Sequence, residues 1–284
     1  MKVCYLLGYP VGHSMSAVMH NAAFEELGLK YKYDLRGVSP AKLGAFMTGE
    51  MRDQAVRGAN VTIPHKVAVM EYLDEVDREA LAVGAVNTIV NQDGSLKGYN
   101  TDGRGAIRAL EEAHGELEGV TAVIVGAGGA ARAIGYHLSA KAGRITILNR
   151  TLSRAEELAA HLSSMPECSA TIEASSLRRS ELEEALKDAN ILINTTPVGM
   201  TPDVEGTPVD GSLIRPGTLV FDTVYNPLRT RLLREAEEAG ARTLSGLRML
   251  VYQGAAAFRL WTGLEPPVEL MYDAVTEVLG GEQG

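Results

Sequence analysis

The stretch Val120–Thr151 constrains this chain more than any other, because it reads as strand, glycine turn, helix and strand in unbroken succession. Val120-Thr-Ala-Val-Ile-Val125 is a short β-branched run, and Gly126-Ala127-Gly128-Gly129-Ala130-Ala131 follows at once. That spacing matches G-x-G-x-x-[GA], in which each small residue has its own task. Gly126 allows the sharp reversal, Gly128 lets a diphosphate approach the backbone, and Ala131 lets the helix sit close to the sheet. The first N–H groups of that helix then face an anion. In outline this is a dinucleotide site; the plain alternative is a tight strand-to-helix turn with no ligand.

Which dinucleotide it suits is read from the end of the next strand, where NAD-binding versions place Asp or Glu on a ribose hydroxyl about 20 residues after the glycines. Here Arg144-Ile-Thr-Ile-Leu148 runs into Asn149-Arg150-Thr151, and Arg150 lies 24 positions after Gly126. No carboxylate stands there. A guanidinium suits a phosphate that a carboxylate would repel, so NADP is favoured over NAD. Arg150 and Arg154 could instead be solvated charges at a helix start, but cations are disfavoured at that end of a helix.

A formal charge of −9 over 284 residues argues against nucleic acid or an anionic membrane as the main partner, since both demand a basic face. An anionic ligand must therefore be met by local groups. Cys4 and Cys168 form no CxxC and are far apart, which fits a reducing cytoplasm and two buried fillers. No run approaches the roughly 20 apolar residues needed to cross a bilayer, and a cytoplasmic location is expected. The tail Gly280–Gly284 is polar and expected to fray.

From Val120 onward apolar strands alternate with helices, the pattern of a parallel sheet covered on both faces. The first hundred residues alternate too. Strands are expected near Val3–Leu7, Tyr31–Leu35, Ala59–Thr62 and Val86–Val90, with helices near Ser16–Leu27, Ala41–Glu50 and His65–Leu73. Asn91-Gln-Asp93-Gly94-Ser95 signals a hairpin. The expectation is an α/β protein of two α/β domains, the second a Rossmann-type doubly wound parallel sheet, with an active-site cleft between them. Residues 1–102 plus 247–284 would form the substrate-binding, catalytic domain and 103–246 the NADP-binding domain. Helices at Leu247–Thr262 and Val268–Leu279 lack strands and are expected to pack back on the N-terminal part.

In that first domain Asn60 and Thr62 alternate along a strand and should face one side. Pro64 is expected to start a helix carrying Lys66 in its first turn, where an ammonium is disfavoured by roughly 0.3–1 kcal/mol. Lys66 is then either solvated or paired with a carboxylate or an anionic ligand. In Tyr99-Asn100-Thr101-Asp102-Gly103, Asp102 sits between strand and helix, where an N-cap is the plain alternative to chemistry. Asn87 begins a strand and could be a simple turn residue. Ser14 and Ser16 precede an amphipathic helix, so a serine cap competes with a carboxylate site. The six histidines show no ligand spacing, and no metal is expected.

Taken together, Gly12-His-Ser-Met-Ser16, Asn60-Val-Thr-Ile-Pro-His-Lys66, Gly84-Ala-Val-Asn-Thr88, Asn100-Thr-Asp-Gly103, Gly126-Ala-Gly-Gly-Ala-Ala131, Asn149-Arg-Thr151, Asp222-Thr-Val-Tyr-Asn-Pro227 and Gln253-Gly254 resemble the shikimate dehydrogenase family across essentially the whole chain. The resemblance implies reversible, NADP-linked reduction of 3-dehydroshikimate to shikimate, a step in aromatic amino-acid synthesis. It implies that Ser14, Ser16 and Tyr225 hold the substrate carboxylate and that Asn60, Thr62, Asn87, Asp102 and Gln253 contact ring hydroxyls, with Lys66 at the reacting oxygen. For the cofactor it implies Gly126, Ala127, Gly128, Gly129 and Ala130 on the diphosphate, Asn149, Arg150, Thr151 and Arg154 around the adenosine phosphate, and Thr223 and Gly246 near nicotinamide. One departure is visible: the family usually has Leu and Pro at the positions of Met15 and Ala17.

The chemistry follows from charge. As hydride reaches a ring ketone, negative charge grows on oxygen, and a proton donor within hydrogen-bond reach accelerates the step, typically by about 10²–10⁴-fold. Lys66 can donate that proton while Asp102 holds the ammonium. Two other readings compete: a quinate/shikimate dehydrogenase using NAD, which Asn149-Arg150-Thr151 opposes, and a non-catalytic NADP-sensing module, which has no need of Lys66 and Asp102 together. The oligomeric state is open, a homodimer included.

Overall fold

The computed structural model describes residues 1–281, so the last three positions of the tail expected to fray lie outside it. The chain divides into two compact units, Met1–Gly105 with Val251–Gly284, and Ala106–Leu250. In the first, β1 (Lys2–Gly8), α1 (Ser16–Glu26), β2 (Tyr31–Gly37), α2 (Leu43–Thr48), β3 (Val56–Val61), β4 (Glu75–Val76), α3 (Arg78–Val83), β5 (Thr88–Gln92) and β6 (Ser95–Tyr99) follow in order, and α4 (Asp102–His114) leads out of it. The sheet is mixed, with strand order β2-β1-β3-β5-β6-β4. β1 runs parallel to β2 and β3, while β5 is antiparallel to both β3 and β6. The hairpin between β5 and β6 turns through Asp93 (φ 53°) and Gly94 (φ 95°), the two positive dihedrals that a primed turn demands.

Two expected helices of this unit are different in the structure. His65–Leu73 is no α-helix: only a 3₁₀ segment forms, at Ala68–Tyr72, and Lys66 lies in the turn before it. The cause is competition for backbone groups. The Lys66 carbonyl accepts from Val86 N at 2.8 Å, so it is spent sideways rather than on an amide four residues ahead, and His65 N closes a turn on Thr62 O at 2.9 Å. The electrostatic penalty expected for Lys66 at a helix start therefore does not arise. The helix expected over Ala41–Glu50 is likewise shorter, since Pro40–Lys42 and Glu50–Arg52 adopt 3₁₀ turns around α2. Of the two cysteines, Cys4 is buried as expected whereas Cys168 is half-buried.

The second unit contains β7 (Thr121–Val125), α5 (Gly129–Ser139), β8 (Arg144–Asn149), α6 (Leu152–Ser163), β9 (Thr171–Ser176), α7 (Arg179–Leu186), β10 (Ile191–Asn194), β11 (Leu219–Asp222), α8 (Arg231–Glu238) and β12 (Arg242–Ser245). All six strands are parallel in the order β12-β11-β10-β7-β8-β9. The order reverses at β7, whose neighbours are β8 and β10, and ligands of open α/β sheets bind at such a reversal beyond the carboxyl ends of the strands. Val123, Leu192 and Val220 are fully buried in one apolar cluster, as the centre of a sheet covered on both faces requires. Two final helices follow, α9 (Leu247–Thr262) and α10 (Val268–Gly281). α10 packs against α1, as expected of a segment that returns to the first unit. Among the described residues no helix is long and apolar enough to cross a membrane.

Candidate active site

Lys66 and Asp102 meet in the first unit. Lys66 Nζ lies 2.5 Å from Asp102 Oδ2, with the lysine side chain 17% exposed and the aspartate 6%. The other carboxylate oxygen accepts from Asn87 Nδ2 at 2.8 Å. The same amide group lies 2.9 Å from Thr101 Oγ1 and 3.3 Å from Gln253 Oε1, so residues from distant parts of the chain converge on the amide that holds the carboxylate. The N-cap reading of Asp102 does not describe this arrangement: Asn100 Oδ1 accepts from the Asp102 amide at 3.1 Å, and the Asp102 carboxylate is turned to Lys66 and Asn87. A buried charge pair of this kind is tolerable because each charged group has a partner and a hydrogen bond.

Asn60, near the end of β3, lies beside this group. Its Nδ2 donates to Asn87 O at 3.3 Å and to Thr88 Oγ1 at 3.1 Å, while its Oδ1 accepts from Tyr33 OH at 2.8 Å. Thr62 follows just past the strand, half-buried, with its amide on Leu7 O at 2.9 Å. At the start of α1 the hydroxyls of Ser14 and Ser16 are 3.1 Å apart, and Ser14 Oγ accepts from the Ser16 amide at 3.2 Å. Ser16 is thus the first helical residue rather than the cap. Tyr225, the third group that the resemblance assigns to a carboxylate, belongs to the second unit, just after β11, and is half-buried.

In the second unit the turn between β7 and α5 is shaped for an anion. Gly126 has φ 113°, and a Cβ there would stand 2.4 Å from Thr195 Oγ1. Gly128 precedes the 11-residue α5, with nothing within 4 Å of the place a Cβ would occupy and no side-chain cap bond at the helix start, which leaves room there for a ligand. Ala127, Gly129 and Ala130 complete the turn, and the first amides of an α-helix have no acceptor within the helix. At the end of β8, Asn149 Nδ2 donates to Thr151 O at 2.8 Å, which draws the loop into a tight bend. Arg150 and Arg154 are exposed around it, and the first turn of α6 contains no acidic residue. These features fit a phosphorylated dinucleotide such as NADP. Thr223 and Gly246 are brought together by the pairing of β11 with β12: a Cβ on Gly246 would meet Thr223 O at 2.1 Å, so only glycine permits that approach.

Buried ionisable groups near these residues include His20 in the first unit and Asp222 in the second. Asp222, at the end of β11, accepts from Thr230 Oγ1 at 2.7 Å, Asn194 Nδ2 at 2.9 Å and Val224 N at 3.0 Å. Burial pushes its carboxyl up to about 6, outweighing those three donors. His20 is fully buried against Tyr33, its ring centroid 4.5 Å away. Burial pushes its imidazole down to about 3, so it is neutral. Sequence reasoning missed Tyr33, Thr88 and Thr101 as members of the polar group. Thr88 and Thr101 lie next to Asn87 and Asp102 in the motifs, and that adjacency is the signal that could have found them. Among the described residues no group of three or more His, Cys, Asp or Glu is placed to hold a metal ion.

The chain is similar to known shikimate dehydrogenases. The family description "Shikimate dehydrogenase substrate binding domain" matches residues 6–89, "Shikimate / quinate 5-dehydrogenase" residues 108–203, and "Shikimate 5'-dehydrogenase C-terminal domain" residues 246–276. A shikimate dehydrogenase (NADP⁺) of Methanopyrus kandleri is 50% identical over 98% of this chain and 96% of its own length. A crystal structure of a shikimate dehydrogenase in complex with NADP⁺ superposes with a TM-score of 0.89 at 43% identity, covering 98% of this chain and 96% of that one. A shikimate 5-dehydrogenase from Thermus thermophilus, solved with NADP(H) and shikimate, superposes at 0.86 with 38% identity, covering 98% of this chain and 100% of that one.

Proposed function

The chain belongs to the shikimate dehydrogenase family, and from that membership we infer that it catalyses the reversible NADPH-dependent reduction of 3-dehydroshikimate to shikimate in aromatic amino-acid biosynthesis. The observation that carries the chemistry is the Lys66–Asp102 contact at 2.5 Å within a buried polar group. When bound, NADPH supplies the hydride. Everything else belongs to the chain's own residues.

Lys66 holds a proton at Nζ and is the group to place it on the oxygen of a bound ketone as charge develops there. Asp102 holds the ammonium in position and leaves it directed, and in the oxidative direction the same pair accepts the proton from the alcohol. Asn60, Thr62, Asn87 and Gln253 are proposed as the partners of ring hydroxyls, since each brings a polar group to the region of Asp102 or the end of β3. Ser14 and Ser16, with hydroxyls 3.1 Å apart at the start of α1, are proposed for the substrate carboxylate. Tyr225 is assigned to that carboxylate on the family resemblance alone. The first amides after Gly128 are proposed for the diphosphate, Asn149, Arg150, Thr151 and Arg154 for the adenosine phosphate, and Thr223 and Gly246 for the nicotinamide side.

The test is one set of assays on the purified protein: reduction of NADP⁺ with shikimate, beside NAD⁺ and beside quinate. Turnover with NADP⁺ and shikimate well above the other combinations is expected. Faster turnover of quinate with NAD⁺ would move the protein to a degradative role, and binding of NADPH without any turnover would leave it a sensing module.

A further inference from the structure

We propose that Tyr33 and Thr88, two hydroxyls set back from Lys66, are positioning residues that restrain the side-chain amides of Asn60 and Asn87, once the backbone has oriented them, and thereby the carboxylate of Asp102. The inference rests on the catalytic reading of Lys66 and Asp102 given above and extends it to residues that reading does not use.

Two backbone groups decide the orientation of both amides. Asn60 Nδ2 lies 3.3 Å from Asn87 O, a carbonyl that can only accept, so the other end of that amide must be its oxygen and Tyr33 must donate to it at 2.8 Å. Asn87 Oδ1 lies 2.8 Å from the Thr101 amide, which can only donate, so Asn87 Nδ2 is the end that faces Asp102. Thr88 Oγ1 stands between the two. It accepts from Asn60 Nδ2 at 3.1 Å, donates to Asn87 Oδ1 at 2.9 Å and lies 3.3 Å from Thr101 Oγ1, a second hydroxyl that reaches the same Asn87 oxygen at 3.2 Å.

The result is a chain of hydrogen bonds that all point the same way: Tyr33 to Asn60, Asn60 to Thr88, Thr88 to Asn87, Asn87 to Asp102, with Lys66 closing on the far carboxylate oxygen. Tyr33, Asn60, Asn87, Thr88 and Asp102 are all at most 4% exposed, so water has little access to substitute for a missing member. Aligned bonds in a low-dielectric setting polarise one another, by about 10–30% per bond. Removing the Tyr33 hydroxyl takes from Asn60 Oδ1 its donor, and removing the Thr88 hydroxyl takes one of two acceptors from Asn60 Nδ2 and one donor from Asn87 Oδ1, which loosens the next amide along the line. The aromatic ring of Tyr33 is held independently, stacked on His20, so its hydroxyl can be deleted while the packing is retained.

The experiment is a mutant cycle with steady-state kinetics and thermal melting: Tyr33→Phe, Thr88→Val, the double variant, and Thr88→Ser as the rescue. Expected for Thr88→Val is a fall in kcat of about tenfold with KM rising less than about threefold. Thr88→Ser should stay within about twofold of the parent. Tyr33→Phe should cost about threefold in kcat alone and nothing further in the Thr88→Val background, because the chain is already broken. Parent-like kcat in folded Thr88→Val, equal impairment of the Val and Ser variants, or Tyr33→Phe acting in full on both backgrounds would each overturn the proposal. Should Tyr33→Phe fail to fold, the Val and Ser pair decides alone. A parent protein with no activity on shikimate would overturn the catalytic reading itself, and this inference with it.

Discussion

Lys66 Nζ stands 2.5 Å from Asp102 Oδ2, a pairing of residues 36 positions apart that joins a turn to the first residue of a helix. The turn puts the ammonium at the end of a flexible stem, and the carboxylate, anchored by Asn87, restricts where that stem can go.

Replacing Lys66 by Ala should therefore lower kcat by at least about tenfold while changing KM much less, because the bond to the reacting oxygen strengthens mainly in the transition state. Steady-state kinetics with shikimate and NADP⁺ measures both. Near-parental turnover in this variant would remove Lys66 from the mechanism.

Arg150 is exposed at the end of β8 with no acidic residue in the first turn of α6. Changing it to Asp should raise KM for NADPH by roughly ten- to a hundredfold, the range set by about 1.5–3 kcal/mol for a hydrogen bond to a charged group. KM for NADH should change far less. Unchanged NADPH kinetics would put the phosphate site elsewhere.

Gly126 combines φ 113° with a Thr195 hydroxyl 2.4 Å from any added Cβ. Gly126→Ala should lower the melting temperature, since a non-glycine residue in such backbone costs roughly 1–3 kcal/mol. It should also weaken NADPH binding by displacing the turn. Isothermal titration alongside melting separates the two effects; parental values in both would contradict the turn geometry.

His20 and Asp222 give stability opposite pH dependences. The imidazole titrates at about 3 when folded against an ordinary value of 6.5, so its contribution is intact above 6.5 and is lost as pH falls from there toward 3. The Asp222 carboxyl is raised from 3.8 to about 6, so its contribution is intact below 3.8 and is lost as pH rises toward 6. Each slope is at most about 1.4 kcal/mol per pH unit. His20→Leu should flatten the loss of the first unit's stability between about pH 6 and 4, read in urea by the fluorescence of Trp261, the single tryptophan. Asp222→Asn should remove the second unit's decline between about pH 4 and 6, read by circular dichroism. Unchanged pH slopes in either variant would refute the assignment for that residue.

How far these features could be read from sequence depends on whether they are local. The glycine turn, β7, α5 and β8 were legible because phosphate-cradling geometry is written in consecutive residues. The hairpin at Asp93-Gly94 was legible for the same reason. The helix expected over 65–73 failed because the Lys66 carbonyl bonds to Val86, a competition no local pattern reveals. The residues around Asp102 were legible as motifs, yet their orientation was not. Asn100 and not Asp102 takes the helix-start amide, and Tyr33, on another strand, reaches Asn60 across the sheet. His20 was legible only as one of six histidines without ligand spacing, since its burial against Tyr33, Phe258 and Trp261 is set largely by partners distant in sequence.

The first unit is made from two separated pieces of chain, with the second unit's residues between them. Trp261, its largest fully buried side chain, donates from Nε1 to Ile89 O at 2.9 Å across 172 positions. During translation the later-numbered unit thus has all its residues before the earlier one does. Biogenesis should then run out of numerical order, with residues 106–250 able to close while the amino-terminal sheet waits for its last two helices, exposed to chaperones and proteases in the interval.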